Sequence, residues 1–179
     1  MTNQFFYFYK DVLRIVGKRS ERWLIVVFTR VFWGVFLYRF ERFLFLIFGK
    51  YYSFIRIPFL PFFLLIQSFS NIEIHYKANI KEGILILHSS IGVVVSGRAN
   101  IGKNITFTGG NVIGFSDKYK EKKFEIGDFL TMGANAVILG PVVLSDHITV
   151  GASACVVKNF LNKYDILVGV PAKSVKYYE

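Results

Sequence analysis

From Ile126 to Val156 an apolar residue returns at every sixth position: Ile126, Met132, Ile138, Leu144, Val150 and Val156. Between them stand small or turn-forming pairs, Gly127-Asp128, Gly133-Ala134, Gly140-Pro141, Ser145-Asp146 and Gly151-Ala152. A period of six fits neither a helix nor a simple alternating strand. It fits a solenoid in which three short flat sides close a triangular coil of about 18 residues, with coils stacked about 4.8 Å apart. One aliphatic side chain per side then fills a narrow core, and glycine or a short residue turns each corner.

The period extends upstream through Ile74, Ile80 and Ile86, then through Val95, Ile101, Phe107 and Ile113. The step from Ile86 to Val95 carries three surplus residues, so His88-Ser89-Ser90 sits where backbone is pushed outward. In an unbroken coil Glu73 would lie beneath residue 91. The step from Ile113 to Ile126 is longer, and 114–125 (GFSDKYKEKKFE) reads as an extruded loop because it is polar and has no apolar period. After Val156 the period stops. Asn159 to Tyr164 reads as a turn off the coil, followed by an extended run from Ile166 to Lys173.

Residues 1–72 are different material. They hold 15 of the 20 Phe, and ten Lys or Arg against three Asp or Glu, in a chain whose net charge is +10. Residues 5–22 read as one helix. Phe28, Phe32, Phe36 and Phe40 form one stripe of a second. Pro58 and Pro61 break a third near its start. The longest charge-free run in the second, Val31 to Tyr38, falls far short of the roughly 20 residues a spanning helix needs. No secretory signal is recognisable. Basic charge interleaved with bulky apolar residues suits an anionic membrane surface better than nucleic acid. The other reading is a helical unit that packs its aromatics against itself or a neighbouring subunit. A chain starting near Ser70 is expected to stay soluble without the segment. The single Cys155 can form no intramolecular disulfide, which points to a reducing compartment and a buried structural thiol.

The chain thus divides into 1–72, helical; 73–158, the repeat; and 159–179, an extended closing segment. The flat outer faces of a triangular repeat invite association, and a trimer matches the section. Ala134 and Ala152 are 18 apart and share a column on successive coils, leaving backbone open to a flat, extended ligand. Lys158 follows the last coil and is placed to meet a phosphate. Spacings between His75, His88 and His147 do not cluster ligands on adjacent coils, so no metal site is expected.

The segments IEIHYKANIKEGILILHSSIG, FEIGDFLTMGANAVILG, ITVGASACVVKNF and GVPAKSV resemble, in order and spacing, the hexapeptide-repeat acyltransferases. The serine acetyltransferase branch, and its relatives that O-acetylate bacterial surface polysaccharides, look most similar. The resemblance covers about residues 72–175. It implies a mainly β fold, a left-handed parallel β-helix, trimeric, with acetyl-CoA as co-substrate in a groove between subunits. By that resemblance His88 is the general base and Glu73 its orienting carboxylate, a methylene longer than the branch's aspartate. Gly133, Ala134, Gly151 and Ala152 contact the pantetheine arm, and Pro171, Ala172 and Lys173 flank the adenine and phosphates. His75 lines the acceptor site. Lys123 stands where the branch has a second active-site histidine, and Leu87 where it has an acidic residue. The branch's long acidic N-terminal helical domain is replaced by the basic, aromatic segment. Free serine thereby loses its charged anchors. The expected acceptor is a sugar hydroxyl of a capsular or exopolysaccharide, or of its glycolipid precursor, met in the cytoplasm at the inner membrane face. The alternatives are a serine O-acetyltransferase and a non-catalytic membrane-bound β-helix scaffold.

Overall fold

The computed structural model describes residues 3–18, 21–116 and 123–175. Residues 117–122 of the expected loop and 176–179 of the closing segment lie outside them. The repeat is a parallel β-solenoid with three faces, a left-handed β-helix. The first face stacks strands Ile72–Ile74, Val93–Val95, Asn111–Phe115, Val137–Gly140 and Cys155–Val156. The second stacks Asn79–Ile80, Asn100–Ile101, Glu125–Ile126 and Val143–Leu144. The third stacks Leu85–Ile86, Thr106–Phe107, Thr131–Met132, Thr149–Val150 and Ile166–Val168.

Every residue of the six-step period from Ile74 to Val156 is at most 4% exposed. Each side contributes two inward residues, however, not one. Ala78, Ile84, Ala99, Ile105, Leu130, Ala136, Val142, Ile148 and Ala154, each two places before a periodic residue, are buried as well. The strand alternation of period two operates inside the period of six. Surplus chain appears where the steps are long. Ser89–Ile91 forms a 3-10 turn, and Glu73 consequently pairs with Val94, not with residue 91. The expected extended run after Ile166 is interrupted at Gly169 (φ 90°), and Lys173–Val175 returns antiparallel on Ile166–Val168. Cys155 is half-buried on the outside of the first face and unpaired.

The helical segment is built onto the open end of the solenoid. Helix Gln4–Val16 starts where the Asn3 side chain accepts the Phe6 N–H and stops at Gly17 (φ 66°), short of residue 22. The phenylalanine stripe is broken too. Thr29 is extended and its hydroxyl caps a new helix, Arg30–Phe48, by accepting the Phe32 N–H. Phe28 is left outside, 78% exposed. Phe32, Phe36 and Phe40 keep the stripe, their rings stacked 6.4 and 5.9 Å apart. Gly34 lets this helix approach Ile72 closely, since a Cβ there would come within 2.6 Å of it.

Four of the ten basic residues of 1–72 are directed inward. Arg39 donates to the Ile80 and Lys81 carbonyls, Arg42 to the Lys77 carbonyl, and Arg14 to the Gly83 and Ile105 carbonyls. Arg56 pairs with Glu41. Tyr38 donates to the Ala78 carbonyl at 3.0 Å and accepts the Ile80 N–H at 3.1 Å. The Arg39, Arg42 and Tyr38 contacts satisfy backbone groups at the edge of the first coil. A chain starting near Ser70 would lack these partners, leaving the carbonyls of Ala78, Ile80 and Lys81 without them.

Candidate active site

The corners between the third and first faces form one continuous edge. His88 stands at its top, and beneath it lie Gly109-Gly110, Gly133-Ala134, Gly151-Ala152 and Gly169 to Ala172. Backbone bonds run down this edge from coil to coil. The His88 N–H donates to the Thr108 carbonyl (2.9 Å), Gly110 N–H to Gly92 (2.7 Å), Asn135 N–H to Gly109 (2.9 Å), Ser153 N–H to Ala134 (2.8 Å) and Cys155 N–H to Gly169 (3.0 Å). Four steps of strand spacing separate His88 from Pro171, roughly 19 Å.

Close stacking dictates why these residues are small. A Cβ on Gly109 would lie 2.4 Å from the His88 carbonyl oxygen, and one on Gly133 would lie 2.6 Å from the Ala152 nitrogen. The result is a strip of open backbone through Gly109, Gly133 and Gly151, with the exposed side chains of Ile91 and Val170 at its two ends. Asn111, fully buried, locks it: its Oδ1 accepts the Gly109 N–H at 2.9 Å and its Nδ2 donates to the Gly133 carbonyl at 2.7 Å. Sequence reasoning missed Asn111. Its signal was a polar residue beginning a strand where the equivalent positions Ile72 and Val93 are apolar.

The edge gathers His88, Gly133, Ala134, Gly151, Ala152, Pro171 and Ala172, with Lys173 just beyond. It does not gather the rest. Glu73 points outward from the first strand of the first face, and among the described residues no hydrogen bond joins it to His88. His75, Lys123 and Lys158 occupy the opposite border of the first face, where it turns into the second. Lys158 lies over the Phe160 ring at 5.4 Å.

His75 is held tightly. Its ring stacks on Tyr76 at 4.4 Å, and its Nδ1 accepts the Lys77 N–H at 3.1 Å, so the neutral ring carries its proton on Nε2. Burial, then the charges of Lys77 and Arg56, hold its pKa below the ordinary 6.5, against a weaker pull from Glu41 and Glu73. Gly97 makes the room, since a Cβ there would come within 2.6 Å of Nδ1.

His147, at a corner between the second and third faces, is the middle ring of a stack, 4.6 Å from Phe129 and 4.7 Å from Tyr164. A broad hollow of about 440 Å³ on the second face is bordered by Glu125, Asp128 and Asp146 against the single cation Lys81, so its lining is net negative and disfavours phosphates. Among the described residues no three His, Cys, Asp or Glu side chains converge as metal ligands would.

A triangular prism of six-residue steps with one open edge headed by a histidine is similar to the form of the serine acetyltransferases. No family model matches the chain. Over 111 residues it is 35% identical to the serine acetyltransferase of Staphylococcus xylosus, a stretch that is 62% of this chain and 50% of that protein. The serine acetyltransferase of Staphylococcus aureus strain Mu50 is 33% identical over the same length. The chain thus spans about half the length of the curated relatives it matches. The crystal structure of Neisseria gonorrhoeae serine acetyltransferase superposes with a TM-score of 0.76 at 26% identity, covering 97% of this chain and 68% of that one. Soybean serine acetyltransferase gives 0.77 at 25%, covering 98% and 70%. Coverage this complete takes in the helical segment, which is therefore shared in fold.

Proposed function

We propose that the chain is an acetyl-CoA-dependent O-acetyltransferase that works at the top of the bare edge. The observation that carries the reading is the alignment of His88 with the Gly133-Ala134, Gly151-Ala152 and Pro171-Ala172 corners along one strip of open backbone. An extended pantetheine arm laid on it would bring its thioester to His88, with Pro171, Ala172 and Lys173 at the nucleotide end. The acceptor oxygen attacks the thioester carbonyl while the His88 imidazole takes its proton. The carbon–sulfur bond then breaks, and the proton passes to the departing thiolate, leaving an O-acetyl ester and free CoA. Glu73 steadies the imidazolium, a contact that closes on acceptor binding. His75, Lys123 and Lys158 reach this site from a neighbouring subunit of a homotrimer, whose first-to-second-face border would face the edge.

The relatives' names support free serine as the acceptor better than the sugar hydroxyl expected from the sequence. One observation keeps the sugar reading: Leu87, 53% exposed beside His88, offers no charge to a serine ammonium. Incubation with acetyl-CoA and either serine or a panel of sugars, read by thiol release and product mass, separates the two. Thiol release with neither would contradict an O-acetyltransferase. The cytoplasmic face of a membrane is the proposed location. Among the described residues no single helix is long and apolar enough to span one, while Leu24, Phe28, Phe54, Leu65 and Phe69 are at least half exposed.

A further inference from the structure

A second hollow, of about 360 Å³, lies between the helical segment and the third face. That volume is within the range of small-molecule sites. Ile15, Ile25, Val26, Leu85 and Leu87 line it, and Arg22 is its one charged wall. Three features bear on its occupant. Leu87 is covalently next to His88, so the groove ends beside the proposed reaction centre. Trp23 and Leu24, on the same short helical turn as Ile25, and Phe28, at the end of the 3-10 turn that follows, are exposed and continue the apolar surface outward. Arg22 is exposed and has no ion-pair partner among the described residues, unlike Arg14, Arg39, Arg42 and Arg56, which are spent on carbonyls and carboxylates.

An apolar trough with one unspent cation suits an anionic amphiphile. We infer that the groove holds the lipid anchor of the acceptor, an isoprenoid phosphate whose chain lies on Ile25, Val26 and Leu85 and whose phosphate meets Arg22. The sugar carried on that phosphate is then delivered to His88 past Leu87. The inference rests on the sugar-acceptor reading and gives it a substrate class: a polyprenyl-phosphate-linked sugar in place of a free one or a finished polymer.

Farnesyl phosphate tests the groove by binding alone, apart from acetyl transfer. Titration calorimetry on the full chain should show saturable binding. Arg22→Glu and Ile25→Asp, both at exposed positions, should weaken it at least tenfold with the melting temperature unchanged. Farnesol should bind more weakly than farnesyl phosphate, and inorganic phosphate should not compete at equal concentration. Absence of binding, or equal binding by wild type and both variants, overturns the inference. If binding fails while a soluble acceptor is acetylated, only the groove assignment falls; if binding holds and no acceptor is acetylated, the fault lies with the proposed reaction.

Discussion

Arg39 donates from Nε to the Asp11 carboxylate at 2.8 Å, and both side chains are closed off from solvent. Asp11 also accepts the Gly83 and Ile84 N–H groups, each at 2.7 Å, while Arg39 reaches the Ile80 and Lys81 carbonyls. Burial pushes the Asp11 carboxyl up, and Arg39 with the two backbone donors pulls it back. The pair is a plug: it joins helix Gln4–Val16 to helix Arg30–Phe48 and fastens both to the first coil.

Arg39→Met should therefore cost about 3–5 kcal/mol, the usual penalty for stranding one member of a buried ion pair. Urea denaturation of the full chain checks it. A loss under about 1 kcal/mol would mean that the helices and the solenoid are energetically independent.

His75 gives a pH signature. Its folded pKa lies below 6.5, so between that value and 6.5 the unfolded chain binds more protons than the folded one. Its contribution to stability is complete above 6.5 and is lost as pH falls through the folded pKa. Gly97→Ala, whose Cβ would meet Nδ1, should drive the ring outward and return its midpoint toward 6.5. NMR titration of the three histidines reads this directly, and an unmoved His75 midpoint would refute the packing argument.

Ala152→Phe tests the bare edge. Ala152 is exposed, so a larger side chain projects from the corner without entering the core. CoA binding measured by calorimetry should weaken a hundredfold or more with no change in melting temperature. Unaltered affinity would place the donor elsewhere.

The exposed apolar surface of the helical segment should bring the full chain to vesicles containing anionic lipid, and high salt should weaken that binding. Charge reversal at Lys50 and Arg30, both exposed, is the suitable probe. Vesicle flotation that ignores both salt and charge reversal would assign the aromatics to contacts between copies of the chain.

The sequence displayed the solenoid plainly because the inward residues are large and evenly spaced. It hid the second inward column because that column is uneven in size, with Ala78, Ala99, Ala136 and Ala154 interspersed among Ile84, Ile105, Leu130, Val142 and Ile148. Arg14, Arg39 and Arg42 read as surface charge because their partners are backbone carbonyls, which no residue letter records. Ala152 and Lys158 are one six-residue step apart, so counting alone sets them on opposite borders of the first face, whereas the surplus residues between Ile86 and Val95 keep counting from placing Glu73 against His88. His147 escaped notice because its partners Phe129 and Tyr164 come from other coils and meet only through the stacking.

The measurement closest to the central claim is acetyl transfer by His88→Ala against wild type, with matched melting curves, using whichever acceptor supports turnover. The proposed general base predicts a loss of at least about 10²-fold in kcat with CoA affinity retained. Turnover equal to wild type would contradict it.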